Sequence, residues 1–380
     1  MNTSDFLTKL LPRLLKYKIY RAFKCGRIDP ITLTFSVTAA CQSRCKTCNI
    51  GHLWLENPVR SEKDLTLAEI EKIFASMKPV YFFNISGGEP FLRKDLPEIV
   101  RLACHYLKPR IIHTPTNALL PKRIVEDTRK ILEIIKAYDP AVPFTVKPSI
   151  DGLGQVHDEI RGVEGNFDNL LETVKLLKEL ESEYDNFHLE LGTVISKFNI
   201  DKLDEIEDFV HSLGVESYRN EVAEQRAEFF NIGDPITPTA TQYKSLMKDF
   251  TRKITANIRS KRSLARTTEA LRLVYYEIAG LILEKNRQII PCYAGISNVH
   301  LNYDGGVWPC CVLGYDKELG NLRDFKYDFQ RVWYSGKAEE IRKFIKEGGC
   351  ACPLANQAYS NILIHTRSLV KAAWHLIRFR

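Results

Sequence analysis

From residue 31 to about 220 the chain alternates short apolar runs with stretches of helical periodicity. The β-branched and aromatic runs predict strands at 31–37, 80–85, 110–115, 144–150 and 188–195, and a weaker one near 215–219. The intervening periodic stretches predict helices at 66–77, 95–107, 121–138, 167–182 and 201–213. Thr66 with Glu69 has the capping-box pattern expected at a helix start. Repeated strand–helix units argue for an α/β fold, a parallel sheet with helices outside it, either open or closed into a barrel. Roughly six units fall short of the eight that close a full barrel.

The two ends of the chain have another texture. Residues 6–23 place Leu7, Leu10, Leu11, Leu14 and Leu15 at helical spacing, with Lys9, Arg13, Lys16, Lys18 and Arg21 between them. This predicts a basic amphipathic helix, reset or kinked at Pro12. Residues 361–380 again mix apolar and basic positions, with Trp374 and Phe379 beside Arg378 and Arg380. Such helices can lie on an anionic membrane surface or pack on a domain with a solvated basic face, and the pattern fits both. Residues 236–290 read as helical and basic after Pro235 and Pro238, and from 291 cysteine, glycine and aromatic residues dominate. The expected divisions are a terminal helix at 1–30, a main unit at 31–230, a helical connector at 231–290, a small cysteine-rich unit at 291–355 and a closing amphipathic helix at 356–380.

Composition narrows the class only a little. Among 380 residues, 44% are hydrophobic and 27% charged, as in ordinary globular proteins. A net charge of +7 is too mild to imply nucleic acid as a partner. The ten cysteines change the picture more. The N-terminus shows no apolar h-region followed by a small-residue cleavage site, so clustered thiols suggest metal binding or catalysis in a reducing, cytoplasmic compartment rather than disulfides. No uninterrupted apolar run is long enough to predict a transmembrane helix.

Three thiols, Cys41, Cys45 and Cys48, follow the first predicted strand at C-x3-C-x2-C spacing. A loop there can bring three sulfurs to one metal centre, and a 4Fe–4S cube held by three cysteines keeps one iron open for a substrate or cofactor. The competing reading is zinc, with His52 as a fourth ligand. Ser86-Gly87-Gly88-Glu89-Pro90 follows the second strand; its glycines allow close backbone approach, and its carboxylate can accept hydrogen bonds from an ammonium group.

The two motifs together resemble the radical S-adenosylmethionine (SAM) enzymes, although Thr47 stands where that family usually has an aromatic residue. The resemblance implies a partial (βα)6 TIM-type barrel. It also implies a catalytic cluster on Cys41, Cys45 and Cys48, and a SAM amine bound by Gly87, Gly88, Glu89 and Pro90. Asn117 ends the third strand, where the family has a polar group near SAM. Ser149-Ile150-Asp151-Gly152, with His157, Asp158, Arg161 and Gly162 beyond, resembles the subgroup that carries C-terminal cluster domains. Arg161 is the expected partner of the SAM carboxylate, and Val194, beside Ile195, the expected backbone and apolar contact to adenine. Asp151 reads equally well as a strand-end turn residue, and Ser217 to Glu221 as lumen polar groups or a structural ion pair.

Cys292, Cys310, Cys350 and Cys352 resemble the ligands of the twitch domain, a shortened SPASM module holding one auxiliary 4Fe–4S cluster. The closing pair here is C-x-C rather than the usual C-x2-C, Cys311 is a spare thiol, and a four-thiolate zinc site is the alternative. Cys25 and Cys104 lie outside both groups. The implied reaction is hydrogen abstraction by a 5'-deoxyadenosyl radical, with an external donor of flavodoxin or ferredoxin type and dehydrogenation as the favoured outcome. The basic ends direct the expected substrate toward a small molecule, a lipid or a lipid-linked sugar, with peripheral membrane association. A peptide-modifying maturase is the alternative; no separate N-terminal peptide-binding domain is visible in the sequence, which counts against it. A non-catalytic membrane-surface electron carrier also remains open.

Overall fold

The computed structural model describes residues 10–215, 217–258 and 263–378. Leu7 and Lys9 of the first amphipathic pattern, and Phe379 and Arg380 of the last, lie outside the described residues. Six parallel strands form the main sheet: β1 Thr32–Ser36, β2 Phe82–Ser86, β3 Ile111–Thr116, β4 Phe144–Pro148, β5 Phe187–Ile195 and β6 Ser217–Val222. Their order follows the sequence, as right-handed strand–helix–strand crossovers produce. The helices between them are amphipathic for that reason. Leu67–Ser76 buries Ile70, Ile73 and Phe74, and Pro121–Tyr138 buries Ile124, Ile131, Leu132 and Ile135. Phe74 packs edge-on between Phe35 and Phe83, each pair of ring centroids 6.0 Å apart. The barrel stays open.

On the far side of β1 the chain returns with β7 Asn298–Leu301, which pairs parallel to it, Thr32 opposite Asn298. Then β8 Gly306–Trp308 and β9 Gly320–Asn321 follow antiparallel, completing a nine-stranded sheet in the order β6-β5-β4-β3-β2-β1-β7-β8-β9. The late cysteine-rich segment therefore continues the barrel's own sheet, which the sequence pattern did not indicate. A short helix, Gln155–Arg161, was likewise unexpected, and helix Leu96–Leu102 widens into a π-type turn through Leu107 instead of running regularly. Beyond β6, helices Ala240–Asn257 and Ser263–Lys285 pack together, and the latter also carries Thr366–Arg378.

Helix Leu11–Phe23 packs one face on the molecule, burying Leu14, Tyr17 and Tyr20. Tyr17 donates to the carbonyl of Asp29 at 2.6 Å, Arg21 donates to the carbonyl of Cys292 at 3.2 Å, and Tyr20 donates to Glu339. Among the described residues no helix is long and apolar enough to cross a membrane.

One carboxylate fastens the first helix of the sheet to the C-terminal segment. Glu69 completes the capping box with Thr66 and also accepts from Arg323 Nε at 2.8 Å and from the Tyr327 hydroxyl at 3.0 Å. The Arg323 guanidinium holds its carboxyl well below the ordinary range, at about 2 against 4.5. Glu69→Ala removes the cap and the charged pair together and is expected to cost about 2–3 kcal/mol in urea unfolding at neutral pH. Because the folded-state pKa is depressed, that stabilisation is present above pH 4.5 and fades as pH falls toward 2. The gap between wild type and variant should therefore narrow from pH 7 to pH 3.

Candidate functional site

The loop after β1 is built to be held still. Its backbone pairs with the turn after β2: Gly88 N donates to Thr38 O at 2.9 Å and Glu89 N to Ala40 O at 2.8 Å. Gly87 has φ +122°, and a Cβ on it would lie 2.7 Å from Thr38 O; one on Gly88 would lie 2.1 Å from Ala40 O and 3.1 Å from Cys41 Cβ. The second half of the loop hydrogen-bonds to helix Gln155–Arg161, Arg44 N to Arg161 O at 3.0 Å and Lys46 N to Ile160 O at 2.8 Å. Asn231 Nδ2 donates to Thr47 O at 2.8 Å.

Several of these supports had no signal in the sequence pattern. Asp64 accepts from Ala39 N at 3.0 Å, and Arg93 donates to the carbonyls of Val37 and Leu65, each at 2.6 Å. Gly51, in helix Ile50–Glu56, abuts the loop so closely that a Cβ would sit 1.7 Å from Ser43 O. Gly51→Ala must displace the 41–48 loop. Reconstituted iron is expected to fall from about eight per chain toward four, with the circular dichroism unchanged. A lone glycine after Asn49 and Ile50 gives no hint of this role, because the approach is tertiary.

The polar residues expected around SAM converge at the C-terminal ends of β2 to β5. They line, with Cys41, Cys45 and Cys48, one open cleft. Gly87, Gly88, Glu89, Pro90, Asn117, Ser149, Arg161 and Val194 all reach it. Glu89 is buried and already accepts from Asn117 N (2.7 Å), Thr116 Oγ1 (2.8 Å) and Phe91 N (3.2 Å), which leaves about one of its four lone-pair sites for a ligand. Burial pushes its carboxyl up to about 6 despite those bonds. Asn117 ties β3 to the cysteine loop, donating to Ser43 Oγ at 3.0 Å and Gln42 Oε1 at 3.2 Å.

Asp151 is more than a turn residue. It accepts from Arg161 Nη1 at 3.1 Å and from Val194 N at 2.8 Å, so the Val194 backbone donor is engaged inside the protein. Arg161 keeps a buried Nε without a partner, lies beside Cys45 and Cys41, and stays cationic through those neighbours and Asp151. Further along the cleft stand Lys147, which pairs with Glu221 at 3.3 Å, and Arg219, which pairs with Glu190 at 2.8 Å. The Ser217 to Glu221 stretch is thus both an ion-pair strand and a cleft wall. His113 beside them is held neutral, its pKa pushed down to about 3 by burial and by Lys147.

The late thiols gather in a second place. Cys292, Cys350 and Cys352 line a cavity with Gln288 and Asn361; besides burial, Cys292 and Cys350 raise the Cys310 thiol pKa, and Cys310 and Cys292 raise the Cys352 thiol pKa. Burial is the largest cause in every case. Cys311 turns away, toward Glu228 and His300, whose ligand atoms lie with its sulfur all within 4.8 Å of one another. Ser36 Oγ bonds both partners there, at 3.1 Å to Glu228 and 2.8 Å to His300. Glu224, on no sequence motif, lines the main cleft and lies close enough to Cys352 for its charge to raise that thiol's pKa, after burial the largest cause. Cys25 is exposed and Cys104 buried, apart from both.

Spacing separates cluster from single ion. Four ligands around one zinc at 2.3 Å would hold their sulfurs roughly 3.8 Å apart, whereas a 4Fe–4S cube spreads them to roughly 6 Å. Among the described residues, no three of Cys41, Cys45, Cys48 and His52, and no three of Cys292, Cys310, Cys350 and Cys352, come within 4.8 Å of one another. All ten cysteines are free thiols. Two sets of thiols, too widely set for one ion, fit iron–sulfur cubes.

Comparison with known proteins agrees. The radical SAM superfamily matches residues 35–224, half of the chain, and the SPASM iron–sulfur cluster-binding domain matches residues 292–353. The chain belongs to the radical SAM superfamily and carries a C-terminal SPASM region. Its cofactor set is accordingly a 4Fe–4S cluster, SAM and auxiliary iron–sulfur. It is similar to the mycofactocin maturase MftC of Mycolicibacterium smegmatis, 27% identical over 351 residues, 90% of this chain and 78% of that one. It is also similar to the AdoMet-dependent heme synthase of Oleidesulfovibrio alaskensis, 23% identical over 82% of this chain and 76% of that protein. In fold it is similar to Streptococcus suis SuiB bound to the precursor peptide SuiA, with TM-score 0.58 and 17% identity, covering 96% of this chain and 79% of that chain.

Proposed function

We propose that this chain is a two-cluster radical SAM enzyme that oxidises a peptide. The observation that carries the two-cluster reading is the second gathering of thiols, with Cys292, Cys350 and Cys352 on one cavity and Cys310 beside them. The peptide reading is supported by the likeness to a mycofactocin maturase. The matched relatives point to peptides and porphyrins rather than to lipid-linked sugars, so the maturase alternative displaces the lipid expectation.

In this reading Cys41, Cys45 and Cys48 hold the catalytic cluster, and Cys292, Cys310, Cys350 and Cys352 the auxiliary one. With SAM bound, the catalytic cluster supplies a 5'-deoxyadenosyl radical that takes a hydrogen atom from substrate. The protein's own part is positioning and exclusion of water. The free lone pair of Glu89 accepts from the SAM ammonium, and the unpartnered Nε of Arg161 meets its carboxylate. Asn117 and Ser149 present polar groups at the strand ends, and the Val194 side chain packs on adenine. Lys147, Arg219 and Arg226 give the far wall cationic groups for peptide carbonyls or carboxylates. A cluster held by Cys292, Cys310, Cys350 and Cys352 would supply an acceptor for the electron released on substrate oxidation, with one proton lost to the cleft for each dehydrogenation.

The test uses cells of the source organism grown in deuterated medium. Their peptide and lipid extracts are offered separately to reduced enzyme with SAM. Deuterium entering 5'-deoxyadenosine from the peptide extract alone is the expected result; label from the lipid extract alone overturns the peptide assignment.

A further inference from the structure

The two helices nearest the chain ends present apolar stripes that nothing among the described residues covers. Ten large hydrophobic side chains are exposed among the described residues, and six of them lie on these two helices. On Leu11–Phe23 they are Leu15, Ile19 and Phe23, each one turn from the next; on Thr366–Arg378 they are Val370, Trp374 and Ile377. Phe23 is 78% exposed and Trp374 48%. The opposite faces are spent on the protein, through Leu14, Tyr17 and Tyr20 on one helix and Ser368 and Ala372 on the other. The stripes are therefore in addition to the faces that fix the helices in place.

The helices meet. Lys18 Nζ donates to Thr366 Oγ1 at 2.7 Å, which sets Leu15 one turn from the junction on one helix and Val370 one turn from it on the other. Neither helix contains an aspartate or glutamate, while Lys16, Lys18, Arg367 and Arg378 lie along them. Arg378 sits over the Trp374 ring at 4.8 Å, an aromatic–cation pairing suited to a boundary that is wet on one side and apolar on the other. Lys371 is engaged by Glu277 and adds no net charge.

We propose that this pair of helices docks the enzyme on the surface of a membrane rich in anionic lipid. Apolar stripes enter the boundary between headgroups and acyl chains, and the basic residues meet the headgroups, each adding roughly fivefold to binding. A protein partner would need a matching acidic, apolar groove; the predominantly basic flanks favour a continuous anionic surface. The inference does not depend on the substrate being a peptide.

Full-length protein is mixed with vesicles of phosphatidylcholine alone or with about a third phosphatidylglycerol, and bound protein is separated by flotation. Binding should require phosphatidylglycerol and fall several-fold in about 0.5 M salt. It should drop at least about tenfold in the double variant Ile19→Ser with Trp374→Ser, whose exposed positions leave SAM cleavage intact as a control on folding. Failure to bind anionic vesicles, or equal binding by the variant, overturns the proposal. So does a lipid-free dimer that the variant converts to monomer, which would assign the surface to a second copy of this chain.

Discussion

Cys45→Ser is expected to lower reductive SAM cleavage by at least about a thousandfold while leaving the fold and the second cluster in place. Cys45 is buried in the middle of the loop, with Cys48 N donating to its carbonyl at 3.2 Å, so the serine fits the space and only the thiolate is lost. Two thiols cannot hold the cube, and a cluster without the open iron cannot present SAM. Anaerobically reconstituted iron should drop from about eight to about four per chain. 5'-Deoxyadenosine under dithionite should fall to the level of a no-enzyme control. Substituting Cys41 or Cys48 should reproduce both effects.

The second large effect separates the two clusters. Cys352→Ala, in the second set of thiols, is expected to cut oxidised product by about a hundredfold or more while 5'-deoxyadenosine formation stays within about threefold of wild type. The reason is chemical balance: hydrogen abstraction can still occur, but the substrate radical has no acceptor for its electron and is quenched by reduction. Deuterium from labelled substrate should still enter 5'-deoxyadenosine, and the recovered, unoxidised substrate should carry a solvent-derived hydrogen in its place. Proportional loss of both activities would place Cys352 in the catalytic cluster's own support and not in a separate relay.

The sheet and the first site were legible because they are local. Alternation of apolar runs with helical stretches gave all six parallel strands, and C-x3-C-x2-C with the Gly87-Gly88-Glu89 turn sits on two adjacent strand ends that pair directly, Ser36 opposite Ser86. What the pattern could not carry was tertiary. β7 joins β1 across more than 260 residues, and Asn298-Val299-His300-Leu301 is too short to read as a sheet-extending strand. Arg93 and Asp64 look like surface charges in sequence, yet they hold the carbonyls and amides of the cysteine loop. Glu224 and Gly51 act only through neighbours distant along the chain. The basic ends were visible as amphipathic helices, but periodicity alone could not tell which apolar positions would be buried; Tyr17 is, and Phe23 is not.

The central claim is that the three-thiol loop leaves one iron open where the glycine–glutamate turn delivers SAM. Electron paramagnetic resonance of the reduced, oxygen-free protein tests it most directly, recorded with and without SAM on the Cys352→Ala variant so that the catalytic cluster dominates the signal. The account predicts g-values that shift when SAM is added and a shift that vanishes in Gly88→Ala, whose new methyl group would crowd Ala40 O and Cys41. A full complement of cluster iron whose spectrum is unchanged by saturating SAM would contradict it.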